Sequence, residues 1–281
     1  MRTIDAHRGP ILAVAYLPGQ RLASAGWDKT VAVWDVAEGT ELARHQTTRP
    51  VIAVAGSPDG EQVAFGDAVA LAVWEPASGA VEPLPGAAVS SLAWSRDGAY
   101  LAGGYFERRF RVWAVRRRDW LPLDRVAMPM KLDFAADGRL LVVGDTAVWL
   151  ARPPERATRQ LGFGSGRPKR LTAGAISPDG AWVALGGPGG ELGVYRPDGK
   201  ADRRLSGHRG HLLGCAFSAD GRLLVTACYD GIVRLWDAAT WTERACYDWR
   251  ISTIRGVAVA PDGMTAVAAG FDGTLLVWDL D

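Results

Sequence analysis

Cysteine is scarce: Cys215, Cys228 and Cys246 are the only three in 281 residues. The number is odd and the spacing suits neither a disulfide framework nor a metal ligand set. Both points favour a reducing compartment, here taken as the cytoplasm, with the three thiols as small buried hydrophobes. No apolar run approaches the ~18 residues of a membrane-spanning helix, so no membrane attachment is expected. Excess charge of one sign is missing too. There are 32 basic and 31 acidic side chains, a formal net charge of +1, which removes any bulk electrostatic case for nucleic acid or a membrane surface. Histidine is limited to His7, His45, His208 and His211. No carboxylate pattern beside them completes a ligand set, so no metal or other cofactor is expected. What is left, 48% hydrophobic and 22% charged residues, is ordinary globular composition, long enough to bury a core without staples.

The first residues imitate a secretory signal: Met1-Arg2, the apolar run 11–17 and a small-residue Ala23-Ser24-Ala25. Asp5, His7 and Arg8 before the run and Pro18-Gly19 after it argue against that. The segment fits a repeat that pervades the chain instead. A turn tetrapeptide recurs as Ser57-Pro58-Asp59-Gly60, Ser95-Arg96-Asp97-Gly98, Ala135-Ala136-Asp137-Gly138, Ser177-Pro178-Asp179-Gly180, Ser218-Ala219-Asp220-Gly221 and Ala260-Pro261-Asp262-Gly263, opened by the shorter Leu17-Pro18-Gly19. Its glycines stand 38–42 residues apart. Proline presets φ, aspartate tolerates the next position and glycine takes the left-handed one, the chemistry of a tight hairpin. A second marker follows each turn: Trp34, Trp74, Trp113, Trp149, Tyr195, Trp236 and Trp278 each close a short β-branched run. The sixth unit reads as four strands, over residues 212–217, 223–227, 232–236 and 243–247.

Four strands per ~40–45 residues with a Trp-Asp ending is the pattern of a propeller blade. With Gly207-His208 opening a unit and Trp236-Asp237 ending its third strand, the whole chain resembles the WD40-repeat family. The serine-proline-aspartate-glycine turn resembles bacterial members most, and four lysines against 28 arginines point weakly to a GC-rich genome. The expected fold is all-β: a seven-bladed β-propeller of four-stranded antiparallel blades, one domain over 1–281. Its repeats fall near 7–46, 47–86, 87–127, 128–163, 164–206, 207–249 and 250–281. Residues 2–6 lie where other units place a fourth strand, so the N-terminal strand is expected to complete the last blade and remove an open edge. Unit four is compressed, and unit five carries a long loop over 162–170, so these two should be the most irregular. Gly186-Gly187-Pro188-Gly189-Gly190 has no helix after it and reads as a hairpin tip rather than a phosphate loop.

His7, Ser24, Asp28 and Trp34 recur as His208, Thr226, Asp230 and Trp236. A Ser–His–Asp set invites a hydrolase reading. The resemblance implies buried structural tetrads instead, with histidine meeting aspartate and the hydroxyl meeting the indole, and no catalytic residue. It also implies that residues before the turn aspartate and near the start of each first strand line a partner-binding rim. Carried over, these are Trp27, Phe106, Tyr229 and Phe271 at the turns, and Leu12, Ile52, Ser90, Lys131, Thr172, Leu213 and Arg255 on the strands. Trp27, Tyr229 and Phe271 fall on blades that the ring makes neighbours, giving an apolar patch with Arg250 and Arg255 at its margin.

The expected function is therefore a non-catalytic scaffold, binding a protein or peptide, as a monomer or as a subunit of a larger assembly. Two alternatives come from other classes. One is a propeller enzyme of lactonase or hydrolase type, disfavoured because the first strands at 12–16, 52–55 and 92–94 read as apolar. The other is a nucleic-acid-associated subunit docking through blades three and four. Residues 104–126 hold seven arginines and 152–170 six basic residues, whereas 50–95 hold none, but aromatic interleaving is limited to Phe106, Phe110, Trp113 and Trp120.

Overall fold

The computed structural model describes residues 1–86, 88–121, 129–155, 158–162, 170–249 and 253–280. Its strands form seven four-stranded antiparallel sheets. Blade one runs Ile11–Leu17, Arg21–Gly26, Thr30–Asp35 and Thr40–Gln46 from the centre outward. The innermost strands of blades two to seven are Ala53–Gly56, Val89–Trp94, Pro129–Phe134, Ala173–Ile176, Leu212–Phe217 and Ile254–Val259. Each packs beside the next and the seventh beside the first, so the ring closes around a central channel. The seventh blade takes its outer strand from Arg2–Asp5, which pairs antiparallel with Thr274–Asp279 from Arg2 opposite Val277 to Asp5 opposite Thr274. Ile4 and Ala6 are buried there. That pairing removes the unpaired backbone row an open blade would expose.

The recurrent turn is built by its serine as much as by proline and glycine. In blade two the Ser57 hydroxyl donates to Asp59 at 2.5 Å and accepts the Gln62 N–H at 2.9 Å. Asp59 also accepts the Glu61 N–H, and Gly60 sits at φ +77°. The same circuit joins Ser95 to Asp97, Ser177 to Asp179 and Ser218 to Asp220. In all four the serine hydrogen bond, ahead of every other influence, holds the aspartate below the usual carboxylate range.

The core is seven wedges rather than one mass. Each apolar cluster fills the gap between two adjacent blades. The third-strand aromatic of every blade packs into the wedge shared with the blade before it: Trp34 joins Ile4 and Val277 of blade seven, and Trp236 joins Leu192 and Val194 of blade five. All seven of these aromatics are buried. A ring spanning the gap contributes area that a β-branched residue cannot, at about 25 cal/mol per Å² removed from water.

Compression in blade four is absorbed by a tight turn, with Gly144 N–H bonded to Ala147 O at 2.8 Å, and by an outer strand of only three residues, Thr158–Gln160. The described strands of blade five carry one register shift, at Val194/Tyr195, against two each in blades one and six, so blade five is not the most irregular, contrary to expectation. Most of the long loop at 162–170 lies outside the described residues. The glycine-rich segment forms the hairpin between Val183–Gly186 and Leu192–Tyr195.

Candidate interaction face

Two polar networks lie inside the blades. In blade one, Ser24 Oγ accepts the Trp34 indole N–H at 2.8 Å and sits 2.7 Å from His7 Nε2. The hydroxyl proton is thereby available to Nε2, which leaves the imidazole proton on Nδ1, 3.0 and 3.1 Å from the two Asp28 oxygens. Asp28 further accepts Arg8 N–H, Thr30 N–H and the Thr30 hydroxyl. Arg44 donates to Thr30 Oγ1 and to Ala6 O. Burial lowers the His7 pKa, although Asp28 opposes the shift. Burial would raise that of Asp28, but the bonds from His7, Arg8 and Thr30 outweigh it and hold the carboxylate low. Every member is hydrogen-bonded, and a fully satisfied buried network rigidifies its surroundings.

Blade six is not an equal copy. Thr226 Oγ1 accepts the Trp236 indole at 2.9 Å and lies 2.9 Å from His208 Nε2. His208 Nδ1, however, stands 3.5 Å from Asp230 Oδ2 without hydrogen-bond geometry. The histidine–aspartate contact expected from the motif is thus an ion-pair distance only. Asp230 spends its oxygens on Arg209 N–H and Ile232 N–H, both at 3.0 Å.

The inner strands carry a bulge near their first residue in blades one, three, four, six and seven. A bulge re-aims one side chain, and here the extra residues are Leu12, Ser90, Met130, Leu213 and Arg255. Together with Ile52, Lys131 and Thr172 they line one cavity at the channel mouth. In blade four the bulged position is Met130, one residue ahead of the Lys131 expected from spacing; both reach the cavity. Ser90 and Thr172 are less available than their position suggests. The Ser90 hydroxyl donates to Pro129 O at 2.6 Å and Thr172 to Leu212 O at 2.6 Å, each stapling its blade to the next.

Trp27, Phe106, Tyr229 and Phe271 occupy equivalent turn tips, each with its N–H bonded to a carbonyl ahead of its own blade's inner strand. They are 61, 44, 60 and 48% exposed, among the few large apolar side chains that face water. Arg255 lies over the Phe271 ring at 5.8 Å, and His211 beside Tyr229 at 6.3 Å. No ring contact among the described residues joins the tips to one another, so they stand as separate pegs rather than one slab. Arg250 lies outside the described residues.

The sequence profile described as "WD domain, G-beta repeat" matches residues 1–35, 81–114, 199–237 and 248–279, and the sheets continue the same blade through the segments between. The chain is a WD40-type seven-bladed β-propeller. It is 27% identical over 207 residues to telomerase protein component 1 of Mus musculus, covering 69% of this chain and 7% of that one. It is 24% identical over 253 residues to the protein LST8 homolog of Drosophila melanogaster, covering 79% and 78%. It is 31% identical over 123 residues to small ribosomal subunit protein RACK1y of Oryza sativa subsp. japonica, covering 40% and 37%. The chain thus spans a small fraction of the first of these relatives and most of the second.

The channel of this WD40 propeller is less apolar than its sequence implied. Lys131 and Asp133, from the inner strand of blade four, line it with Arg96 and Cys215. Burial pushes the Asp133 carboxyl above its ordinary range, against the bond from Ile176 N–H at 3.0 Å. That bond crosses to blade five, so Asp133 is a staple between blades, and no histidine or second carboxylate joins it among the channel residues. The arginine-rich stretch is partly spent within the protein: Arg109 pairs with Glu107, Arg118 with Glu82 of blade two, and Arg111 lies over Tyr105 and Trp120. Arg125, Arg156, Arg167 and Lys169 lie outside the described residues. Cys215 and Cys228 are buried, but Cys246, on an outer strand with one face in water, is exposed.

Proposed function

We propose that this propeller is a non-catalytic scaffold that binds a protein or peptide partner on the face carrying the four aromatic tips and the channel mouth. The carrying observation is the juxtaposition of exposed aromatic pegs at equivalent turns with a polar cavity whose charged lining residues are Lys131 and Arg255. A partner segment seats apolar side chains against Trp27, Tyr229 and Phe271 and places an acidic group at Lys131 or Arg255. Aromatic and arginine side chains dominate binding energy at such surfaces. The printed names of two relatives designate components of larger particles, a telomerase and a ribosomal subunit, which supports a role as an assembly subunit. The same reading takes 1–281 as a single cytoplasmic domain, with the free cysteines in its favour. The repeat type is bacterial on this reading, supported by the turn tetrapeptide and the arginine bias, while the relatives named above are eukaryotic.

Selection of a random peptide library on the immobilised propeller tests the assignment. Peptides combining an apolar residue with an acidic one should be enriched. The folded double variant Trp27→Glu, Tyr229→Ala should bind them at least ~30-fold more weakly, about 2 kcal/mol. Undiminished binding moves the site to the arginine-rich side of blades three and four.

A further inference from the structure

Blade six departs from blade one at two positions that face its buried histidine. Cys228 stands where blade one has Gly26, and Ile232 where it has Thr30, as the strand registers show. In blade one the Thr30 hydroxyl lies 3.0 Å from His7 Nδ1. Ile232 offers no hydroxyl, and His208 Nδ1, on a side chain only 1% exposed, has no hydrogen-bond partner. An unmade bond on a buried ring nitrogen costs about 1–3 kcal/mol unless something else meets it. The Cys228 thiol, fully buried, lies beside Asp230. One donor atom from each of His208, Cys228 and Asp230 lies within 4.8 Å of the other two.

We propose that these three side chains form a binding site for a divalent first-row transition ion of the zinc class. The donor set is one imidazole nitrogen, one sulfur and one carboxylate oxygen, which suits zinc and disfavours calcium or magnesium, whose ligands are oxygens. The 3.5 Å between Nδ1 and Asp230 Oδ2 is close to the edge of a tetrahedron with ~2.0 Å bonds, about 3.3 Å. Outer contacts are in place. Thr226 lies on Nε2 and accepts its N–H once Nδ1 binds the ion, while Arg209 and Ile232 N–H groups orient the carboxylate. Coordination replaces the thiol proton, which leaves to solvent, with a metal–sulfur bond. Three protein ligands leave the fourth position of a tetrahedral ion to water. Tyr229 sits between two ligands, so the ion fixes the base of that exposed tip.

Cobalt is the probe. Metal-free protein carrying Cys246→Ala, which removes the exposed thiol, is titrated with Co²⁺ while thiolate-to-cobalt charge transfer and visible d–d absorption are followed. One equivalent should bind, with the spectrum of a four-coordinate site, and Zn²⁺ should displace it. Cys228→Gly, which restores the residue of blade one, should abolish the charge-transfer band. Ile232→Thr, which gives Nδ1 a hydroxyl partner, should weaken cobalt binding by about tenfold or more. No saturable band in folded protein, or a band that survives Cys228→Gly, overturns the site. If Cys228→Gly fails to fold by near-ultraviolet circular dichroism, unchanged cobalt affinity in Ile232→Thr overturns it instead.

Discussion

Truncating the two network aspartates separately should expose their inequality. Asp28→Ala removes the acceptor of four donors: His7 Nδ1, Arg8 N–H, Thr30 N–H and the Thr30 hydroxyl. Arg8 is exposed and turns to water, and His7 keeps Thr30 Oγ1 at 3.0 Å. Thr30, 6% exposed, is left with its N–H and hydroxyl to satisfy. At about 1–3 kcal/mol for each buried group left unpaired, the cost is about 3 kcal/mol. Asp230→Ala releases Arg209 N–H, also exposed, and Ile232 N–H, but takes no hydrogen bond from His208, whose Nδ1 makes none. That cost is about 1 kcal/mol. The difference of about 2 kcal/mol corresponds to roughly 4–8 °C in melting temperature for a domain of this size. Both variants and the parent should be melted side by side, and unfolded in urea to confirm an unchanged slope, in EDTA so that no bound ion contributes. Equal shifts, or a larger one for Asp230→Ala, would refute the claim that hydrogen-bond completeness sets the worth of each network.

Two further outcomes follow from the ring and its titrating groups. Deleting residues 1–7 strips blade seven of its outer strand, uncovers the wedge around Ile4 and removes His7. The melting temperature should fall well beyond the effect of a surface substitution of ~0.5 kcal/mol, and a change of a degree or two would contradict closure by Arg2–Asp5. On acidification, stability should fall in two stages. His7 and His208 are held below their ordinary 6.5, chiefly by burial, so the unfolded chain takes up protons first. Their contribution is whole above pH 6.5 and shrinks as pH falls from there toward the folded values. The turn aspartates, held below 3.8 by their serines, add a second loss as pH falls below 3.8. Asp133, raised by burial, works in the opposite direction. A melting temperature that stays level from pH 7 down to the carboxylate range would contradict the histidine stage.

The blades were legible because two markers solve separate physical problems. The aspartate-glycine turn sets the reversal between first and second strands, and the third-strand aromatic fills the wedge to the preceding blade. Each is read from one residue type at one spacing. The serine of the turn is a weaker marker, since Ala135 and Ala260 replace it in two of the six turns and its role appears only where Ser57 bonds both Asp59 and Gln62 N–H. Met130 was missed for another reason. A bulge shifts register by one without changing the alternation around it, so counting from the turn lands on Lys131. Cys228 was set aside as a buried hydrophobe because its meaning depends on Ile232, four residues on, and on a histidine twenty residues before. Spacing along the chain does not show that these three meet.

Where the fold leaves residues free then decides where specificity resides. Six blades lack a complete network, five of them without its histidine, yet all keep their third-strand aromatic, so the wedges, not the histidines, hold the ring. At the channel mouth, Ser90 and Thr172 are committed to carbonyls of the next blade, and replacing either removes a staple along with any contact it makes. Leu12, Met130, Lys131, Leu213 and Arg255 have no such hydrogen bond among those described, and the bulges aim four of these five at the cavity. The tips follow the same logic. The backbone N–H of Trp27 bonds to Pro10 O, and that of Tyr229 to His211 O; neither bond depends on the side chain. On the proposed function, substitution at these positions should change binding at little cost to the ring. Equivalent changes at Asp28, Trp34 or Asp133 cannot be separated from the structure they hold.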